Sequence, residues 1–191
     1  MYRKENFMVY MLCADGLEEC EALITLDMLR RAGIDVKTVS LSEKKIKGAH
    51  GIDFDADVMN SDITVSDIAN AECVILPGGG VGTQTLSKSA DVAEYLKAAN
   101  EKGIIIAAIC AAPSVLGING LLNGKCATCY PGFEKYLDGC RYTGESVTVC
   151  GNIITAKGMG CAIEFSHAIT EALKDKTTAD RILEEIMYAR V

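Results

Sequence analysis

The sequence predicts a single α/β domain on a mostly parallel central sheet, and three observations predict it. Apolar runs of strand length alternate with amphipathic stretches of helix length along the whole 191-residue chain, the pattern of strands joined by crossover helices. A hydrophobic fraction of 49% suits one substantial core at this size. Three of the strands run into turns of small residues, and open α/β sheets bind ligands beyond the carboxyl ends of their strands. Residues 1–191 are read as one domain, without linker, repeat or low-complexity block.

The elements follow in order. Residues 7–13 read as a strand and 17–32 as a helix that Gly33 stops, since glycine tolerates the left-handed conformation that ends helices. Residues 34–40 make a second strand. From 42 to 67 the chain is polar and less regular, with extended pieces at 45–47 and 52–56; it is expected to edge or cover the site. A third strand, 72–76, leads into Pro77-Gly78-Gly79-Gly80-Val81-Gly82. Residues 91–102 form a helix stopped by Gly103, 104–109 a buried central strand, and beyond Cys110 a short helix runs to Asn119. A strand at 125–129 precedes a hairpin, 146–150 and 153–157, turned at Gly151-Asn152. Helices at 161–174 and 178–190 close the chain.

Cys110 stands where the central strand gives way to a helix. A sharp strand-to-helix turn lifts a side chain off the sheet and needs small neighbours two positions either side; Ala108 and Ala112 supply them. The following helix presents N–H groups and its positive dipole end to the sulfur, a field expected to favour a thiolate nucleophile.

A net charge of −7 with scattered lysines excludes an electrostatic footprint for nucleic acid or an anionic membrane. No run reaches the length of a membrane span, and no signal-peptide pattern opens the chain. Nine cysteines without a framework spacing point to a reducing, cytoplasmic compartment. Cys126 and Cys129 form a CxxC, but no second ligand pair accompanies them and a strand turns residues three apart to opposite faces. No metal is expected, because structural zinc needs four converging ligands.

Glu21 shares a helical stripe with Leu17, Ile24 and Met28. A carboxyl among apolar neighbours is desolvated, which raises its pKa and lets it exchange a proton with a thiol or a substrate. Ala22, Leu26 and Leu29 make a second stripe on the same helix. The glycines at 78–80 lack P-loop and dinucleotide spacing; they read as backbone N–H groups brought close to a reacting oxygen, or as a simple turn. Of two histidines, His167 reads as a packing or surface position and His50 as a residue able to line the pocket. Neither has the spacing of a base for a cysteine protease.

These residues resemble the ThiJ/PfpI family, the parkinsonism-associated deglycase branch of the class I glutamine amidotransferase-like superfamily. The resemblance rests on Ala14-Asp15-Gly16-Leu17-Glu18-Glu19-Cys20-Glu21, Arg30-Arg31-Ala32-Gly33, Leu76-Pro77-Gly78-Gly79, Ala107-Ala108-Ile109-Cys110-Ala111-Ala112-Pro113 and Glu164-Phe165. It implies a flavodoxin-like α/β/α sandwich and a homodimer. It also implies Cys110 as an oxidation-prone nucleophile, Glu21 as its acidic partner, and Gly79 and Ala111, beside Gly78, as oxyanion N–H donors. Where many members carry a histidine near the cysteine, this chain has Tyr130, which donates a hydrogen bond but is a poor base at neutral pH. Peptidase-like members have histidine where Ala111 stands, which argues against protease activity.

The expectation is a cytoplasmic, cofactor-free stress protein of glyoxalase or deglycase type, with lyase or hydrolase chemistry. Through Cys110 and Glu21 it acts on α-oxoaldehydes or their glycated adducts. The alternative expectation is a non-catalytic redox sensor or chaperone that works through oxidation of Cys110.

Overall fold

A computed structural model describes residues 8–189. Its strands are β1 (Met8–Cys13), β2 (Asp35–Ser40), β3 (Lys45–Ile46), β4 (Phe54–Asp55), β5 (Val58–Met59), β6 (Cys73–Leu76), β7 (Ile105–Ile109), β8 (Cys126–Ala127), β9 (Arg141–Tyr142), β10 (Val147–Cys150) and β11 (Ile153–Ala156). Its helices are α1 (Glu19–Arg31), α2 (Val65–Ala69), α3 (Gly80–Lys88), α4 (Ala90–Glu101), α5 (Pro113–Ile118), α6 (Ala162–Leu173) and α7 (Lys176–Glu185). The central sheet runs β10-β11-β7-β6-β1-β2-β5. All neighbours are parallel except the β10–β11 hairpin. This is the α/β sandwich on a mostly parallel sheet that the alternating pattern predicts.

Strand parity builds both cores. In β1, Tyr10 and Leu12 join a cluster with Val92, Leu96, Val115 and Leu116 of α4 and α5, while Val9, Met11 and Cys13 join one with Met28, Phe165 and Ile182 of α1, α6 and α7. Successive side chains of a strand point to opposite faces, so each strand feeds both layers. Phe165 is fully buried. Phe165→Ala removes a ring that the surrounding helices cannot close over, and is expected to lower stability by about 3–5 kcal/mol in a urea titration.

Several boundaries differ from expectation. Residues 80–88 form a helix that the glycines disguise, for Gly80 and Gly82 weaken helix propensity. The irregular stretch holds α2, whose start is fixed by a capping box between Thr64 and Asp67. The strand expected at 125–129 contracts to β8 and pairs in parallel with β9 outside the central sheet. The first helix starts at Glu19 instead of Leu17. The last helix runs from Lys176 and stops at Glu185, short of the expected 190, and Phe7, expected to begin the first strand, lies outside the described residues.

The stretch from 42 to 67 supplies the edge strand β5 and also folds onto α1. The Gly16 N–H donates to the Lys47 carbonyl and the Ala49 N–H to that of Leu17. Buried Glu19 accepts from the backbone N–H groups of His50 and Ile52, while His50 Nδ1 lies 3.0 Å from its second oxygen. Burial alone would raise the Glu19 pKa, but these donors outweigh it and hold the carboxyl at about 2.

Candidate active site

Four neighbouring parallel strands, β11, β7, β6 and β1, end on the same side of the sheet, so the loops that follow them converge. Backbone bonds lock two of these loops together: Glu18 N–H donates to the Gly78 carbonyl and Gly82 N–H to that of Gly16. A cavity of about 700 Å³ opens there, lined among others by Glu18, Glu21, Gly79, Cys110, Tyr130 and Lys157.

Cys110 has φ 65°, a left-handed conformation that costs a non-glycine residue on the order of 1–3 kcal/mol and persists only when its surroundings enforce it. They do so from two sides. Cys110 N–H donates to the Ala156 carbonyl at 2.9 Å, and the Cys110 carbonyl accepts from Tyr130 N–H at 2.7 Å. The turn aims Sγ into the cavity opening between Glu21 and the backbone N–H groups of Gly79 and Ala111.

Glu21 is 1% exposed, although it belongs to the first turn of α1. Its Oε2 accepts the Gly78 N–H at 2.8 Å, and its Oε1 is buried without a hydrogen-bond partner. Burial raises the Glu21 pKa to about 7 against the pull of the Cys110 thiol and the Gly78 N–H. Oε1 is thus the free atom on which a proton can reside. Burial, and then the charge of Glu21, push the Cys110 thiol up to about 12, with the N–H groups of Gly79 and Ala111 pulling it back. Burial and the Glu21 charge thus oppose the thiolate that the helix dipole favours, and the two groups contend for one proton.

Gly78 has a different place from the one expected. Its N–H is committed to Glu21, so it is not free to meet an oxyanion; Gly79 and Ala111 are the two whose N–H groups reach the sulfur. A Cβ on Gly78 would stand 2.4 Å from Glu21 Oε2 and 2.6 Å from Cys110 Cβ. Only glycine lets the carboxyl and the cysteine approach this closely. Gly78→Ala is expected to separate the pair, seen as a fall of the Cys110 pKa toward the ordinary thiol range in a pH series of alkylation rates.

Tyr130 lines the cavity mouth, half exposed. His50, expected to line the pocket, is not among the lining residues; its exposed ring is held on Glu19. His167 Nε2 lies 2.8 Å from Asp180 and ties α6 to α7. Lys157 and Glu18 in the lining escaped the sequence reading. Lys157 is the first residue after β11, so counting that strand's carboxyl end among the ligand-binding loops would have found it.

Ligand atoms of Glu18, Glu19 and His50 lie within 4.8 Å of one another. Backbone N–H groups and the imidazole already engage Glu19, so the trio works as a clamp on the 48–52 loop. In the CxxC, Cys129 is buried and its pKa is pushed up to about 12 by that burial, whereas Cys126 is part-exposed. Among the described residues, no helix is long and apolar enough to cross a membrane.

Comparison with known proteins gives the same fold and more. The structure of oxidized Toxoplasma gondii DJ-1 superposes with a TM-score of 0.88 at 33% identity, over 96% of this chain and 100% of that one. Drosophila melanogaster DJ-1beta superposes with a TM-score of 0.87 at 32% identity, over 97% and 100%. Among curated relatives, the glutathione-independent glyoxalase DJR-1.2 of Caenorhabditis elegans is 30% identical over 181 residues, covering 94% of this chain and 95% of that protein. DJ-1 homolog B of Arabidopsis thaliana is 40% identical over 169 residues, 87% of this chain. The chain spans about two fifths of the length of the two Arabidopsis relatives it matches, 38% and 43%. A profile described as the DJ-1/PfpI family matches residues 8–172, and the chain therefore belongs to that family.

Proposed function

We propose that the protein converts small 2-oxoaldehydes such as methylglyoxal to 2-hydroxy acids, without a cofactor, through Cys110 and Glu21. The observation that carries this reading is the buried carboxyl, raised to about 7, contending with the elbow thiol for one proton inside an open cavity. The similarity to a relative named as a glutathione-independent glyoxalase supports it.

Glu21 takes the thiol proton as Sγ adds to the aldehyde carbon, and the aldehyde oxygen is protonated to give a hemithioacetal. The N–H groups of Gly79 and Ala111 stabilise the oxygen charge that develops beside the sulfur. Glu21 then moves the proton from the former aldehyde carbon to its neighbour through an enediol, leaving a 2-hydroxy thioester. Water cleaves the thioester, releasing the hydroxy acid and restoring the thiol. Lys157 at the cavity wall suits the carboxylate product.

Because the step that generates the nucleophile needs ionised Glu21, kcat/KM is expected to rise with pH through a midpoint near 7. Incubation with methylglyoxal should yield lactate, and Cys110→Ser should cut the rate by about 10³-fold or more. Equal rates for the two proteins would remove Cys110 from the mechanism.

A second reading rests on Tyr130 at the cavity mouth, where a base would serve turnover better. In it, peroxide oxidises Cys110 to a sulfinate that protonated Glu21 and the two N–H groups hold, and the protein signals or acts as a chaperone without turnover. We assign the protein to a reducing cytoplasm, where nine unpaired cysteines persist, and to a homodimer, to be checked by sedimentation.

A further inference from the structure

Outside the cavity, the small sheet of β8 and β9 assembles a second sulfur site that the reaction above does not use. The parallel register sets Arg141 opposite Cys126. The guanidinium delivers two donors to one sulfur, Nε at 3.2 Å and Nη2 at 2.9 Å from Cys126 Sγ. β8 also packs against β10, bringing Cys150 Sγ to 3.1 Å from the Cys126 backbone N–H, which donates to it. All of these cysteines are free, and Cys126 and Cys150 are neither fully buried nor fully exposed.

We propose that Cys126, Cys150 and Arg141 form a hydroperoxide-responsive thiol pair, in which Cys126 is the attacking sulfur and Cys150 closes an intramolecular disulfide. The groups that face Cys126 set its ionisation. The Arg141 hydrogen bonds come first, the Cys150 thiol adds a donor, and together they lower the Cys126 pKa against its partial burial. Cys140 is the other ionisable neighbour; burial raises its own pKa. A thiolate held by a guanidinium and reachable from solvent is the form that reacts with peroxide. Cys129, the other half of the CxxC, is excluded as the attacking group because burial pushes its thiol up to about 12.

The chemistry balances with the hydroperoxide as the only oxidant. The Cys126 thiolate attacks one oxygen of hydrogen peroxide, the O–O bond breaks, the leaving hydroxide takes a proton and departs as water (an alkyl hydroperoxide would release the alcohol instead), and Cys126 becomes a sulfenic acid. The Cys150 sulfur then attacks Cys126, an S–S bond forms, the S–O bond breaks, and the Cys150 proton leaves with the hydroxyl as a second water. Two thiols are oxidised by two electrons and one peroxide is reduced by two. A dithiol reductant reverses the step.

The test uses the full chain carrying Cys110→Ser, which removes the cavity thiol without touching the pair. After one equivalent of hydrogen peroxide at pH 7, remaining thiols are alkylated and peptides mapped without reduction. The expected product joins the Cys126 and Cys150 peptides and disappears on reduction. Cys150→Ala should leave a Cys126 sulfenic acid that dimedone traps. Arg141→Ala should raise the pH midpoint of Cys126 alkylation. For every pH unit by which that midpoint rises, the thiolate falls about tenfold while the remainder becomes a stronger nucleophile, so disulfide formation slows by about threefold. A Cys126–Cys140 or Cys126–Cys129 link would overturn the assignment of Cys150, and an unmodified Cys126 would overturn the site. Lactate formation by a Cys126→Ser variant with Cys110 intact is expected to equal that of the native chain, so this proposal and the proposed function fail separately.

Discussion

Glu21→Gln should remove turnover and yet make the protein more stable at pH 8. The two effects share one cause. In the folded chain the carboxyl titrates at about 7 against an ordinary 4.5, so the folded state holds its proton more tightly than the unfolded state. The resulting stability is fully present below about 4.5 and is lost as pH rises through 7. Above that, the native protein carries a buried carboxylate at a cost of about 3 kcal/mol, because each pH unit that separates the folded from the unfolded titration is worth about 1.36 kcal/mol. Glutamine has the same shape, keeps an oxygen for the Gly78 N–H and carries no charge. Thermal melts of the variant and the native chain should therefore converge near pH 4 and separate as pH rises, with the variant higher. With no carboxylate to take the thiol proton, lactate formation should fall by about 10²–10⁴-fold, the usual worth of a general base. Curves that stay parallel from pH 4 to 8 would show that Glu21 is not desolvated as described.

Tyr130→His is expected to work in the opposite direction. The backbone N–H of residue 130 donates to the Cys110 carbonyl, so the substituted side chain starts from the same anchored position at the cavity mouth. A tyrosine hydroxyl there cannot accept a proton near pH 7; an imidazole can. Methylglyoxal turnover should rise, by up to about 10² even with imperfect placement, and its pH profile should gain a limb near the ordinary histidine value of about 6.5. An imidazole seen within reach of Cys110 but giving no gain would mean that Glu21 alone runs the proton transfers.

Much of the architecture was legible because strand and helix periodicities are local. The small-x-Cys-x-small run around Cys110 announced its turn, and the left-handed φ follows from it. Glu21 was legible from its neighbours at helical spacing. What escaped depends on contacts between segments far apart in sequence. Gly78 looked like an oxyanion donor until the fold placed Glu21, 57 residues earlier, against its N–H. α3 was hidden because Gly80 and Gly82 oppose helix propensity, and Gly79, at φ 92°, is needed where its absent Cβ would strike the Gly16 carbonyl. His50 was misplaced because nothing in the spacing of the irregular stretch says that Glu19 holds its backbone. The Cys126–Arg141 contact arises from the register of two short strands, which residue spacing does not reveal.

The proposed chemistry turns on one proton moved by Glu21 across a substrate bonded to Cys110. Proton NMR of methylglyoxal turnover in deuterium oxide tests this most directly, because the cavity opens to solvent and the carboxyl proton of Glu21 exchanges with it. The expected product is lactate bearing deuterium at its second carbon, formed by the native chain and not by Cys110→Ser. Lactate formed equally well by Cys110→Ser, or no lactate at all, would contradict it.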